Sequence, residues 1–372
     1  MYSPKLSVKI CGSGTYLPGQ PIPVSRVNEV LGELPDAPKT VKRWMERIDK
    51  LMRELVEVEN FHFALDPVTR QFMDDNISMS VKACHKALEA AGRIPADVEL
   101  IVYGSAHQDQ MPTTSVRIQE ALGISACAEL SVHANCTSAY KALLLGTDLI
   151  RNGRYRNALV VSSGISSSEL IAEYYNQPLV TREELFLRFF LSDGAAALYL
   201  EGVDHHTEGF YIIRNYIESI GGNKPSAMCN NRPAYWMNPR EEFEKGYHHL
   251  AQMFQDELSR NFHEPDGSVF IKGLKRMIAS DPFALEKIRY LQINFPSRHI
   301  SELILDECEL IGIPRQRYYS GMNTMGYTGP PMALQCLDRI IREEPVNQGD
   351  LILSFVTEVS KFMQAGYVVE RR

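Results

Sequence analysis

Along the chain, short runs rich in aliphatic and β-branched residues alternate with stretches whose apolar positions return every three or four residues. Residues 100–103 read as a strand ahead of a helix over 114–122. Residues 129–132 read as a strand ahead of a helix over 138–151, with a further strand over 158–162. This alternation predicts a layered α/β fold. Residues 39–57, with Lys, Arg, Glu and Met at helical spacing, read as one amphipathic surface helix with a solvated polar face. Gly, Pro, Asn and Met dominate residues 221–239, which predicts a long loop of the kind that forms lids.

The pattern also repeats. The stretch around Asn135, followed by a helix and the strand 158–162, has a counterpart around Asn323, followed by a helix over 335–342 and a strand over 351–354. A strand at 100–105 and a helix ending at Leu122-Gly123-Ile124 are echoed by a strand at 290–297 and a helix ending at Ile311-Gly312-Ile313. Two copies of one unit are expected, 1–203 and 204–372, with Asn135 and Asn323 at related corners and a site at the seam.

Composition narrows the function. Lys plus Arg is 39 and Asp plus Glu is 46, a net charge of −7, so no basic footprint for nucleic acid is present. Arg151, Arg154, Arg156, Lys272, Lys275 and Arg276 are local cations better read as solvated surface than as a rim for an acidic carrier. No run approaches the roughly 20 apolar residues that cross a bilayer, and no signal peptide opens the chain, so a cytoplasmic protein without membrane attachment is expected. The seven cysteines are scattered and form no C-x-x-C pair, which predicts reduced thiols and no metal; no cofactor is expected.

Cys136 stands between a strand and a helix, where unsatisfied N–H groups and the positive end of the helix dipole favour a thiolate and can hold an oxyanion. A small buried apolar filler is an equally good reading of its position. His133 reads as a core histidine.

The segment Val132-His-Ala-Asn-Cys-Thr-Ser-Ala-Tyr-Lys-Ala-Leu143 resembles the nucleophile motif of the β-ketoacyl-acyl carrier protein synthase III branch of the thiolase superfamily. Ile10-Cys-Gly-Ser-Gly-Thr-Tyr-Leu-Pro18, Glu59-Asn-Phe-His-Phe-Ala64, Leu191-Ser-Asp-Gly-Ala-Ala-Ala197, Trp236-Met-Asn-Pro-Arg-Glu-Glu-Phe243 and Met322-Asn-Thr324 resemble further family segments in the same order. The resemblance implies a five-layered α-β-α-β-α fold from two duplicated halves, a homodimer, and coenzyme A or acyl carrier protein thioesters as partners. It makes Cys136 the acyl-accepting nucleophile and Asn323 a catalytic residue. Gln110 and Met111 fall in an arm that, in the family, reaches the partner's acyl tunnel, and they are expected to bind substrate. In that arm Asp109 offers a carboxylate.

The match fails at one place. Ser297 occupies the position of the family's catalytic histidine, which removes a group that titrates near neutrality. His299, two residues on, and Glu358, near the place of a glycine-rich loop absent here, are candidate bases. The resemblance therefore implies a ketosynthase that joins acyl-Cys136 to a β-ketoacyl thioester by Claisen condensation, with ring closure to a cyclohexanedione as in dialkylresorcinol or bacterial stilbene biosynthesis. Acyl transfer to an alcohol or amine, ordinary malonyl-using synthase III chemistry and a non-catalytic partner subunit are the alternatives.

Overall fold

The computed structural model describes residues 6–372 except 57, 108–109, 205–206, 231–236, 239, 241–251 and 295–297, and except the side chains of 49, 51, 53, 55, 252, 255 and 299. Ten strands form one sheet. In the first half they are β1 (Ser7–Tyr16), β2 (Leu100–Ser105), β3 (Ala128–His133), β4 (Asn157–Ile165) and β5 (Asp193–Val203). In the second they are β6 (Phe210–Ser219), β7 (Ile288–Gln292), β8 (Tyr318–Tyr319), β9 (Leu351–Glu358) and β10 (Met363–Arg371).

The strand order is β3-β2-β4-β5-β1 and then β6-β10-β9-β7-β8, so each half repeats the other with every strand number raised by five. The directions repeat as well. β2 runs parallel to β3 and β4, and β5 antiparallel to β4 and β1. Correspondingly, β7 runs parallel to β8 and β9, and β10 antiparallel to β9 and β6. The halves join where β1 pairs antiparallel with β6, Val8 opposite Ile212 and Ile10 opposite Phe210. One arrangement gives way to the next between Val203 and Phe210.

Six principal helices follow the same rule. They are α1 (Asn76–Ala91), α2 (Thr114–Ala121) and α3 (Ser138–Arg151), then α4 (Val269–Ser280), α5 (Arg298–Leu310) and α6 (Met332–Glu343). The turns after α2 and α5 share one geometry: Gly123 and Gly312 have φ of 71° and 90°, and Ile124 and Ile313 donate back to Gln119 and Cys308. A side chain is strained at such φ values, which is why glycine ends both helices.

The layers follow from burial. Helix α3 packs on β2 and β4 of one half and on β6 and β10 of the other, and α6 lies against α3, β1, β5 and β7. Their apolar faces meet in one core that includes Leu143, Ile150, Leu334, Leu337 and Tyr367. Outside, α1 and α2 cover the first half with Ala83, Ala87 and Ile118. Helices α4 and α5 cover the second. Helix, half-sheet, central helix pair, half-sheet and helix make the five expected layers.

Two local readings change. Residues 39–57 form two helices, Lys39–Met45 and Ile48–Leu55, with a turn in which Arg47 N–H donates to Trp44 O at 3.0 Å. His133 is exposed, its Nε2 3.1 Å from Ala106 O, because β3 is an edge strand.

Candidate active site

The chain leaves β3 at His133 and enters α3 at Ser138, and the link carries Asn135, Cys136 and the N-cap Thr137. Ser138 N–H and Oγ both donate to Asn135 O at 3.0 Å, which fixes the corner. Gly104 on β2 lets the helix start lie directly on the sheet, since a Cβ there would come within 2.4 Å of Ser138 O. Cys136 is held half-buried on the wall of a cavity of about 180 Å³.

Both halves build that cavity. The first contributes His107, Asn135 and Glu169 together with apolar Leu187 and Phe190; the second contributes Met228, Met253, Asn294, Tyr327 and Val356. A partly apolar chamber with a few polar groups beside a thiol suits an acyl chain whose reactive end is polar. Arg188, fully buried, donates Nε to Leu170 O at 2.8 Å and Nη1 to Asn28 Oδ1 at 2.7 Å, and so fixes the short helix Ser167–Leu170 that carries Glu169.

The electrostatics at the cysteine differ from the expectation. Glu358, 1% exposed, accepts from Thr137 N at 2.9 Å and from Thr137 Oγ1 at 2.7 Å, and its other oxygen accepts from Ser360 Oγ at 2.6 Å. A carboxylate, not the sulfur, thus sits on the N-terminus of α3. Burial first, and then the negative charge of Glu358, push the Cys136 thiol up to about 12. The Tyr327 hydroxyl, on the same cavity wall, opposes this and lowers the thiol. Cys136 therefore rests as a thiol and not as the thiolate that the helix position alone predicts.

The expected residues are only partly gathered. Cys136 is in the cavity. Asn323 is exposed on the short helix Met322–Met325 and does not line it; its carbonyl accepts from Glu59 N–H at 3.0 Å. The cause is a shifted register in the repeat. Counting back three residues from the helix starts Ser138 and Met332 pairs Asn135 with Gly329, so Asn323 belongs to an insertion ahead of α6. Glu358 lies against Thr137 and not on the cavity wall, with both oxygens engaged. Gln110 and Met111 are exposed, Met111 at 97%, and neither lines the Cys136 cavity; Gln110 lines an adjoining groove. Ser297, Asp109 and the His299 side chain fall outside the described residues.

Tyr327, His107 and Glu169 are the residues that sequence reasoning missed. Tyr327 stacks on Phe190, ring centroids 5.1 Å apart, and its backbone N–H donates to Phe190 O, so its hydroxyl is placed by the fold and not by a local motif. All seven cysteines are free, and exposed Cys229 shares the cavity with Cys136. Of the surface cations, Arg156, Lys272 and Arg276 pair with Glu99, Glu264 and Glu218. Among the described residues no cluster of three or more His, Cys, Asp or Glu could hold a metal ion, and no helix is long and apolar enough to cross a membrane.

Comparison with known proteins bears on the fold and the family resemblance. Residues 130–221, which include the Cys136 corner, match the family model of 3-oxoacyl-[acyl-carrier-protein] synthase III. A β-ketoacyl-[acyl-carrier-protein] synthase III of Clostridium perfringens is 25% identical over 355 residues, 93% of this chain and 94% of that protein. Among solved structures, AbyA1, a tetronic acid condensing enzyme, superposes with a TM-score of 0.75 at 20% identity, covering 98% of this chain and 99% of that one. A variant of OleA from Xanthomonas campestris gives 0.76 at 16% identity, covering 100% of both chains. The fold is therefore that of the thiolase-type condensing enzymes, and the sequence is similar to that of synthases III.

Proposed function

We propose that this synthase III-like chain is a ketosynthase that loads an acyl group on Cys136 and joins it to a β-ketoacyl thioester by Claisen condensation without decarboxylation. The observation that carries the reading is the Cys136 thiol on the wall of a chamber that both halves line, with Tyr327 on the same wall. Sulfur attacks the donor thioester and loses its proton as it does so; the proton ends on the departing carrier thiol. Because the thiol is raised to about 12, free thiolate is scarce at neutral pH and deprotonation accompanies attack.

Ser297 in place of a histidine supports a second substrate that is already acidic, such as a β-ketoacyl thioester, whose product can close to a cyclohexanedione. The acyl donors are coenzyme A or acyl carrier protein thioesters. A homodimer suits the uncovered edge of β3, where Leu130 is 38% exposed, and the protruding Met111. In this reading Glu358 sets the protonation of the nucleophile.

The test incubates purified protein with an acyl thioester and then a β-ketoacyl thioester. The expected result is an acyl adduct on Cys136 that the second substrate discharges into a carbon–carbon product. An adduct discharged only by an alcohol or amine identifies acyl transfer instead, and efficient malonyl condensation identifies ordinary synthase III chemistry.

A further inference from the structure

The wall of the Cys136 cavity carries an imidazole that no family segment in the sequence points to. His107 follows β2, and Glu169 sits on the helix Ser167–Leu170; both line the cavity together with Cys136. His107 Nε2 lies 3.7 Å from Glu169 Oε1, with the two side chains 18% and 32% exposed, so the pair is sheltered but open to a ligand. The backbone beneath the ring is anchored: His107 N–H donates to Ser105 Oγ at 3.0 Å, and Asn76 Nδ2 donates to His107 O at 3.5 Å.

The other titratable groups described on that wall are poorly matched to proton transfer near neutrality. Burial raises the phenols of Tyr175 and Tyr327 and the thiol of Cys229. Glu358, which is not on that wall, is engaged with Thr137 and Ser360. An imidazole ordinarily titrates near 6.5 and both takes and returns a proton there.

We propose that His107, held by Glu169, is the catalytic base that removes the α-proton of the second thioester; this rests on the condensing reaction proposed above. The imidazole takes the proton from the carbon between the two carbonyls, and the C–H electron pair becomes the enolate. That carbon attacks the acyl-Cys136 carbonyl, a C–C bond forms, and the C–S bond breaks. The departing thiolate then recovers the proton from the imidazolium. No oxidant is needed and no carbon dioxide leaves. The first half thus supplies the imidazole that Ser297 does not.

The experiment follows α-hydrogen exchange of a β-ketoacyl N-acetylcysteamine thioester in deuterated water, by mass spectrometry, beside acylation of Cys136 in the same preparations. Wild-type protein accelerates exchange above the buffer rate. H107Q lowers that acceleration about 100-fold or more, while Cys136 still takes an acyl group. E169Q keeps the exchange but moves its half-maximal pH downward, because a negative charge beside the ring is lost; Asp75, which lines the adjoining groove with His107 and Glu169, remains in both proteins. Exchange and condensation in H107Q at the wild-type rate overturn the assignment. His107-dependent exchange in a protein that never acylates Cys136 upholds the base and overturns the condensing reaction, and a wild-type protein that does neither overturns both.

Discussion

Glu358 accepts the amide hydrogen of Thr137 at 2.9 Å, which places a buried carboxylate at the start of α3, one residue from Cys136. The positive end of the helix is spent on that carboxylate, and its charge falls on the neighbouring sulfur. E358Q keeps the shape and removes the charge, so the Cys136 thiol should titrate lower than the wild-type value of about 12. A fall of one unit means about tenfold more thiolate at fixed pH. Alkylation of Cys136 by iodoacetamide across pH 7–10, read by peptide mass spectrometry, checks this; an unchanged or slower rate in E358Q contradicts it.

Tyr327 acts in the opposite sense. Its hydroxyl shares the cavity wall with Cys136 and lowers the thiol, and a hydrogen bond made to the sulfur as it becomes charged would be worth about 1.5–3 kcal/mol. Y327F should slow Cys136 acylation by roughly ten- to a hundredfold. The ring still stacks on Phe190, so the melting temperature should stay within a few degrees. Rapid-quench acylation with a short acyl thioester, beside a thermal melt, measures both.

Asp193 links the site to pH. Its carboxylate accepts from Ala64 N and Ser167 N at 2.8 Å each, yet burial outweighs these bonds and raises it from 3.8 to about 6. The folded state therefore holds a proton that the unfolded chain releases. The associated stability is fully present below about pH 4 and lost as pH rises through 6, of the order of 3 kcal/mol. Urea titrations from pH 4 to 7 should show this decline in the wild type and a flatter profile in D193N; equal slopes contradict it.

The legible parts of the molecule are those with a local signature. Helix α3 is read from its apolar spacing at its observed limits, and the glycine stops at Gly123 and Gly312 announce the duplication that the strand order displays. The break between Met45 and Ile48 carries neither Gly nor Pro, so nothing in the pattern marks it. The expected correspondence of Asn323 with Asn135 fails because the helix Met322–Met325 ahead of α6 shifts the register of the repeat. Tyr327, His107 and Glu169 share the cavity wall with Cys136 through segments distant in sequence, and no spacing rule reaches that far.

The central claim is that Cys136 carries the acyl group between two thioesters. Intact-mass and peptide spectra after incubation with an acyl thioester, followed by a chase with a β-ketoacyl thioester, test it most directly. The account predicts one acyl adduct on Cys136, absent in C136S, that disappears in the chase as a condensed product forms without loss of carbon dioxide. An adduct that forms equally in C136S, or a condensed product made by C136S, would contradict it.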